Sequence, residues 1–318
     1  MGARDIETKK YMSDPAVFAD VFNYFLYGGE RVIDPDGLLP LDATEVVVPY
    51  GNKGRTPLQR IRDVMKEWCM MKDNSTVYAL LGIENQSNIH YAMPVKAGLN
   101  DYMAYAEQVE EASKSYHQNR NKKRRRQLLR MKGNEYLSGF RKEDRLIPVI
   151  TLVVYYGSHE WDAPRSIHEM LLVKDKRLLP YVPDYRVNLI TPEDISDEDI
   201  DLFESGFGEL MLFIKYSHDK KRLKKLMDDH EQFTCLDSDT ANLINVLTDS
   251  KLTITEEDGG INMCQAILDI RAEGKEEFQM HIAQLTLAMK KDNREAELID
   301  ALIHPEKLPP LFEEYKIQ

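Results

Sequence analysis

The sequence predicts an α/β core of one helix, three strands, a second helix and a fourth strand, followed by a helical C-terminal region. Two observations predict this order. Up to residue 156, segments with apolar residues at helical spacing alternate with the short apolar runs that are typical of strands. Beyond Pro192, nearly every segment has helical spacing. With 42% hydrophobic residues among 318, the chain can bury a core, which excludes a protein that is disordered throughout.

The first helix is predicted to begin at Pro15. Ser13 and Asp14 offer side-chain oxygens for its N-cap, and proline suits the first turn because no helical N–H is needed there. Phe18 and the apolar residues after it recur at helical spacing. The helix is expected to end at Gly28, which is followed by a second glycine.

Three strands are predicted next, over residues 44–48, about 58–68 and 76–86. Turn-forming residues separate them, and short connections favour antiparallel neighbours. A second helix is predicted from 91 to about 116. The fourth strand, 146–156, is apolar on both faces, as expected of a strand in the middle of a sheet.

The C-terminal region has helical spacing after an acidic stretch at 193–201. The apolar stripe of its longest predicted helix packs either within the chain or across a dimer, so a homodimer through the C-terminal helices is one expectation. The predicted division of the chain is an N-terminal tail over 1–12, a core domain over 13–205 and a helical region over 206–318.

Composition excludes several classes of protein. No uncharged apolar run approaches the ~20 residues that a bilayer requires, and the first ten residues contain no apolar stretch, so a cytoplasmic protein without membrane contact is expected. Three widely spaced cysteines form neither a disulfide framework nor a zinc knuckle. The net charge of −12 argues against a surface covered in DNA-binding charge, although it permits a local basic groove.

Three polar side chains interrupt strands that are otherwise apolar. Side chains alternate along a strand, so Glu84 and Gln86 point to the same side, and Asp63 lies on the neighbouring strand. Two carboxylates that approach closely repel unless a cation lies between them, and Mg²⁺ typically binds one or two carboxylates together with substrate phosphate. Alternatively, both acids are simply solvated and Asp63 pairs with Arg62.

These features resemble the Rpn family of recombination-promoting nucleases, also described as YhgA-like putative transposases, within the PD-(D/E)XK nuclease superfamily. The most specific match is the stretch Leu-Leu-Gly-Ile-Glu-Asn-Gln-Ser at 80–87. The other matching stretches are Val17–Asn23, Arg62–Val64, Tyr91–Val95, Asp101 with Tyr105, Leu152–Gly157 with Trp161, and Asn262–Ala266. The resemblance implies a restriction-endonuclease-like core.

The resemblance also implies roles for individual residues. Asp63 and Glu84 would be catalytic ligands of Mg²⁺ or Mn²⁺. Gln86 would stand where many superfamily members have a lysine that orients the attacking water; glutamine can form that hydrogen bond but supplies no positive charge. Lys96 could supply this charge instead. Asp20 would be the acid that the first core helix often contributes.

Two further groups of residues follow from the resemblance and the charge pattern. Asp101 and Tyr105 either line the cleft or only support it. Eight bases between residues 120 and 132 have no acid among them. Such a run is either a solvated segment or a phosphate-binding one. The residues predicted to bind nucleic acid are Lys123, Arg124, Arg125 and Arg126.

The predicted function is that of a metal-dependent DNA endonuclease that promotes recombination and is related to transposases. One alternative is a nuclease-fold protein that binds DNA and cleaves it weakly or not at all. Another is a protein-interaction module in which the acids are incidental.

Overall fold

A computed structural model describes residues 2–41, 44–47, 58–61, 63–69, 77–118, 133–250, 260–315 and 317. The fold is mixed α/β, with a five-stranded sheet in the N-terminal half and a helical C-terminal region. The described strands are β1 (Leu38–Pro40), β2 (Thr44–Val47), β3 (Leu58–Ile61), β4 (Val64–Cys69), β5 (Val77–Gln86), β6 (Val149–Tyr155) and β7 (Asn188–Ile190).

The described helices fall into two groups, one before residue 119 and one beyond residue 132. The first three are α1 (Ala3–Ser13), α2 (Pro15–Tyr27) and α3 (Met93–Gln118). The others are α4 (Gly133–Ser138), α5 (Ile167–Met170), α6 (Phe207–Tyr216), α7 (Lys220–Asp229), α8 (Ser238–Thr248), α9 (Met263–Lys291), α10 (Glu295–Ile303) and α11 (Leu308–Glu314). Among the helices of the described ranges, none is both long and apolar enough to span a bilayer.

The five-stranded sheet has the order β1-β4-β5-β6-β7. β4 is antiparallel to both of its neighbours, β1 and β5, whereas β5, β6 and β7 run parallel. A parallel connection requires a crossover, and α3 lies within the segment that joins β5 to β6. The predicted buried strand, β6, lies inside the sheet between β5 and β7, which confirms its position.

The two faces of the sheet are covered by different helices. Ala104 of α3 packs in one apolar cluster with Met65, Leu80 and Val149. On the other face, the Nζ atom of Lys66 donates to the carbonyl of Ser13, at the junction of α1 and α2. Buried side chains therefore cover both faces, and α3 lies on the face that carries Glu84, because residues 80 and 84 share a side.

The second predicted strand, 58–68, is wrong as a single element. It consists of two strands, β3 and β4, and β3 pairs with β2 in a separate two-stranded sheet. The strand that completes the antiparallel part of the larger sheet is β1, a three-residue segment within a Pro- and Asp-rich connection.

The predicted N-terminal tail is largely the helix α1. Its Tyr11 and Met12 are buried, and the Tyr11 hydroxyl is hydrogen-bonded to the hydroxyl of Thr240 at 2.9 Å. Tertiary contacts therefore order a segment whose charged sequence gives little helical signal.

The described chain divides into two compact units. The first contains Met1–Asp229 and Asp239–Asp249, and the second contains His230–Ser238 and Ser250–Gln318. The boundary predicted near residue 205 lies inside the first unit. The second unit has its own apolar core, in which side chains of α9, α10 and α11 meet: Leu285, Met289, Leu298, Ala301, Leu308 and Leu311.

Candidate active site

Asp63 and Glu84 lie at the same edge of the sheet, where β4 begins and β5 ends. The antiparallel register pairs Val64 with Ile83, so the next positions outward are Asp63 and Glu84. The Asn85 N–H donates to Asp63 Oδ2 at 2.7 Å, which fixes the carboxylate at this edge.

Glu84 is a buried carboxylate held by two donors from α3. Its side chain is only 3% exposed. Asn100 Nδ2 donates to Oε1 at 3.0 Å, and Lys96 Nζ lies 2.9 Å from Oε2. Lys96 and Asn100 are four residues apart, so they project from the same face of the helix. A buried charge is tolerated when it is paired and hydrogen-bonded, and α3 provides both interactions.

The positive charge of Lys96 acts on Asp63 as well as on Glu84. Burial raises the pKa of the Asp63 carboxyl, while the hydrogen bond from Asn85 and the positive charge of Lys96 lower it. The net direction is upward. Lys96 thus interacts with both acids, and its partly exposed side chain gives it access to solvent.

A polar network anchors α3 to the sheet one residue beyond Asn100. Asp101 accepts hydrogen bonds from the hydroxyls of Thr151 at 2.5 Å and Tyr185 at 2.6 Å. One turn further along, the Tyr105 hydroxyl accepts the N–H of Val149 at 3.1 Å. These contacts favour the supporting role of Asp101 and Tyr105 over the lining of a cleft. The network fixes the helix that presents Lys96 and Asn100.

Gln86 ends β5 on the same side as Glu84. It pairs with Tyr155 of β6, its carbonyl accepts the N–H of Tyr156 at 2.9 Å, and its side chain is half-buried. The intervening Asn85 projects to the opposite face, where its Oδ1 accepts a hydrogen bond from the buried Tyr156 hydroxyl at 3.0 Å. Gln86 therefore lies beside the carboxylates, two residues from Glu84.

The hydrogen bonds of Asp20 are made to residues 204 and 205, not to the carboxylates at the sheet edge. Its Oδ2 accepts hydrogen bonds from the N–H groups of Glu204 and Ser205, at 3.1 and 2.8 Å, and from the Ser205 hydroxyl at 2.6 Å. Burial raises its pKa, against these hydrogen bonds. Asp20 thus connects α2 to the segment that precedes α6, whereas the structure brings Asp63, Glu84, Gln86 and Lys96 together at one edge of the sheet.

Several predicted residues lie outside the described ranges. They are Arg62 and the four bases of the predicted nucleic-acid surface, Lys123, Arg124, Arg125 and Arg126. Asn100, by contrast, was missed by sequence reasoning. The available signal was its position four residues after Lys96, on the helix face that carries the buried Ala97 and Ala104.

The donor chemistry of this edge suits a hard divalent cation. The two carboxylates at this edge supply oxygen ligands of the kind and number that Mg²⁺ uses when substrate phosphate and water complete its shell. Within the described ranges, no cluster of three or more His, Cys, Asp or Glu side chains has the geometry of a metal site. At this edge of the sheet, the described residues that could hold the ion are Asp63 and Glu84.

Comparison with known proteins agrees with the family that the sequence resembles. The model of the family described as "Putative transposase, YhgA-like" matches residues 63–244, a range that contains β4 to β7 and the candidate site. No curated protein and no solved structure gives a significant match. Because the family model covers more than half of the chain, the protein belongs to the YhgA-like putative transposase family.

Proposed function

We propose that the protein is a metal-dependent endonuclease that hydrolyses phosphodiester bonds of DNA, with the PD-(D/E)XK type of active site. The observation that carries the proposal is that Asp63 and Glu84 lie at one edge of the sheet, with Lys96 paired to Glu84 and its charge acting on Asp63. Membership of a transposase-related family supports DNA as the substrate and recombination as the process.

Each residue of the site has a task in this reaction. Asp63 and Glu84 would hold Mg²⁺ or Mn²⁺, which supplies an activated water and neutralises charge on the phosphate. Asn100 keeps the Glu84 carboxylate in one orientation. Gln86 can hydrogen-bond the attacking water, since an amide both donates and accepts.

Lys96 supplies the positive charge that Gln86 lacks. Its ammonium group contacts Glu84, and the flexible stem of a lysine allows this group to turn toward a bound phosphate. An ammonium near the scissile phosphate stabilises the charge that develops on its oxygens. The lysine of the α3 helix would thus replace the strand lysine of other superfamily members.

A second candidate is a DNA-binding protein of the same fold that cleaves weakly or not at all. Both Glu84 oxygens have donors within the protein, from Asn100 and Lys96. A carboxylate that is already satisfied gains less from an added cation, which favours this candidate.

Plasmid nicking separates the two candidates. The endonuclease should nick supercoiled plasmid with Mg²⁺ and stop in excess EDTA. Asp63→Asn and Glu84→Gln should each lower the rate at least a hundredfold, since metal sites contribute several kcal/mol to such transition states. Glu198→Gln removes an exposed acid elsewhere and should cleave at the wild-type rate. DNA binding without Mg²⁺-dependent nicking would overturn the endonuclease and support the second candidate.

A further inference from the structure

The helix α7 carries a dense basic surface within the first unit. Five bases stand between residues 220 and 225 of a chain with net charge −12, and the side chains of all five are exposed. They are Lys220, Lys221, Arg222, Lys224 and Lys225. Arg222 pairs with Asp219 at 3.7 Å. Among the described residues, no acid forms an ion pair with any of the four lysines.

The order of charges along α7 opposes helix stability. The bases occupy the N-terminal half, where the helix dipole is positive, and Asp228 and Asp229 occupy the C-terminal end, where it is negative. Lys220 and Lys224 are like charges four residues apart, which also disfavours a helix. Asp219 caps the start of the helix by accepting the N–H groups of Lys221 and Arg222 at 3.1 Å, and Asp228 and Asp229 stand four residues after Lys224 and Lys225. These three acids do not balance the five bases, and an anion bound to the basic side would offset the remaining repulsion.

The helix begins near the edge of the sheet that carries the candidate active site. His218 Nε2 and Ser158 Oγ are hydrogen-bonded at 2.9 Å. Ser158 follows β6, whose last residue, Tyr155, pairs with Gln86 at the end of β5. The contacts thus run from the site through the end of β6 to the residue two positions before α7.

We infer that the basic side of α7 binds the phosphate backbone of duplex DNA next to the candidate active site. The inference rests on the proposed function and adds a DNA-contacting surface to it. Along a helix, Lys220 and Lys224 are ~6 Å apart, and the phosphates of one strand follow each other every ~3.4 Å along the duplex axis. The lysines can therefore neutralise two or three phosphates.

The packing of α7 favours DNA over a lipid surface. A helix that lies in a membrane interface exposes an apolar face to the acyl chains. The large apolar side chains Leu226 and Met227 are instead buried inside the protein. What α7 offers to a partner is charge, which matches the phosphate backbone and carries no base specificity.

Salt-dependent binding tests the inference. The affinity for a labelled duplex is measured in EDTA, so that no cleavage occurs, over a series of salt concentrations. The test variant is K220Q/K221Q/K224Q/K225Q, and the control K174Q/K176Q/K290Q/K291Q removes four other exposed lysines. The test variant should bind at least tenfold more weakly at low salt, and its slope of log affinity against log salt should fall by about 2–3, at ~0.9 per phosphate contact. The control should keep the wild-type slope.

Circular dichroism and thermal unfolding check that the test variant is folded. Its midpoint should equal or exceed that of the wild type, because the substitutions remove repulsion within α7. If the quadruple variant unfolds, the double variant K221Q/K225Q is tested instead. Its slope of log affinity against log salt should fall by about 1–2.

Three outcomes would overturn the inference. In the first, the wild-type protein nicks plasmid but the test variant keeps the wild-type salt slope; α7 then does not contact DNA, and the proposed function is unaffected. A wild-type protein that neither binds nor cleaves DNA contradicts both. Binding of anionic vesicles that the α7 substitutions abolish, with DNA binding unchanged, would assign the helix to a lipid surface instead.

Discussion

Among single residues, Asn100 contributes to the candidate site through its hydrogen bond to Glu84. Asn100→Leu keeps a similar volume but leaves Glu84 Oε1 without this donor. A hydrogen bond to a charged group contributes about 1.5–3 kcal/mol, so the free energy of unfolding should fall by that amount in urea titrations. Glu111→Leu, at an exposed position of the same helix, should change it by less than ~0.5 kcal/mol. Equal effects of the two substitutions would show that Asn100 does not hold Glu84.

Lys66 is a buried base whose charge opposes folding. Burial lowers the pKa of its ammonium group, against the attraction of Asp14, and Nζ donates to the Ser13 carbonyl at 2.7 Å. Between the lowered pKa and the ordinary value of ~10.4, the unfolded chain binds more protons than the folded one, so the stability contributed by Lys66 rises with pH.

Lys66→Met should remove this dependence on pH. The variant should be more stable than the wild type near neutral pH, and its advantage should shrink as the pH approaches ~10.4. Urea unfolding of both proteins from pH 7 upward measures the difference, in which the titration of other groups cancels. A constant difference over this range would contradict a lowered pKa of Lys66.

For single residues, alternation along β5 and an antiparallel neighbour were sufficient to place Asp63 and Glu84 at the same edge of the sheet, but not to predict what holds them. The partners of Asp20 are 184 and 185 residues away along the chain, and no local pattern encodes such a contact. The burial of Lys66 likewise depends on the helix junction that packs over β4.

Among the elements, α2 shows how a cap defines a helix. Asp14 Oδ1 accepts the N–H groups of Ala16 and Val17 at 2.7 and 3.2 Å, and Gly28 ends the helix at φ 62°. Asp14→Ala should lower the free energy of unfolding by about 0.5–2 kcal/mol in urea titrations, because these N–H groups lose their acceptor. Ser13, the other predicted cap, donates to the Lys9 carbonyl instead, so Ser13→Ala should have a smaller effect. The reverse order would contradict the assignment of the cap.

Elements with strong local signals were predicted, and those that depend on tertiary contacts were not. The cap and the glycine define α2, and the continuous apolar run defines β6. By contrast, β1 has only three residues, and the break between β3 and β4 contains neither glycine nor proline. The weakly apolar α1 is ordered by its buried contacts.

For the whole molecule, the first unit extends beyond the predicted boundary and includes α6, a largely apolar helix that is buried on all sides. Every residue from Phe207 to Ile214 is buried, and a helix of this kind belongs to the interior of a unit. This pattern was available in the sequence. That Asp239–Asp249 also belongs to the first unit could not be predicted from the sequence, because it depends on long-range contacts such as that between Tyr11 and Thr240.

The central claim is that Asp63 and Glu84 share a catalytic metal ion. The most direct test is a crystal structure with Mn²⁺, in which anomalous scattering locates the ion. We expect one ion within bonding distance of oxygens from both carboxylates, with the Lys96 ammonium moved away from Glu84. An ion bound elsewhere, or a site at saturating Mn²⁺ in which Lys96 still contacts Glu84 and no ion is present, would contradict the claim.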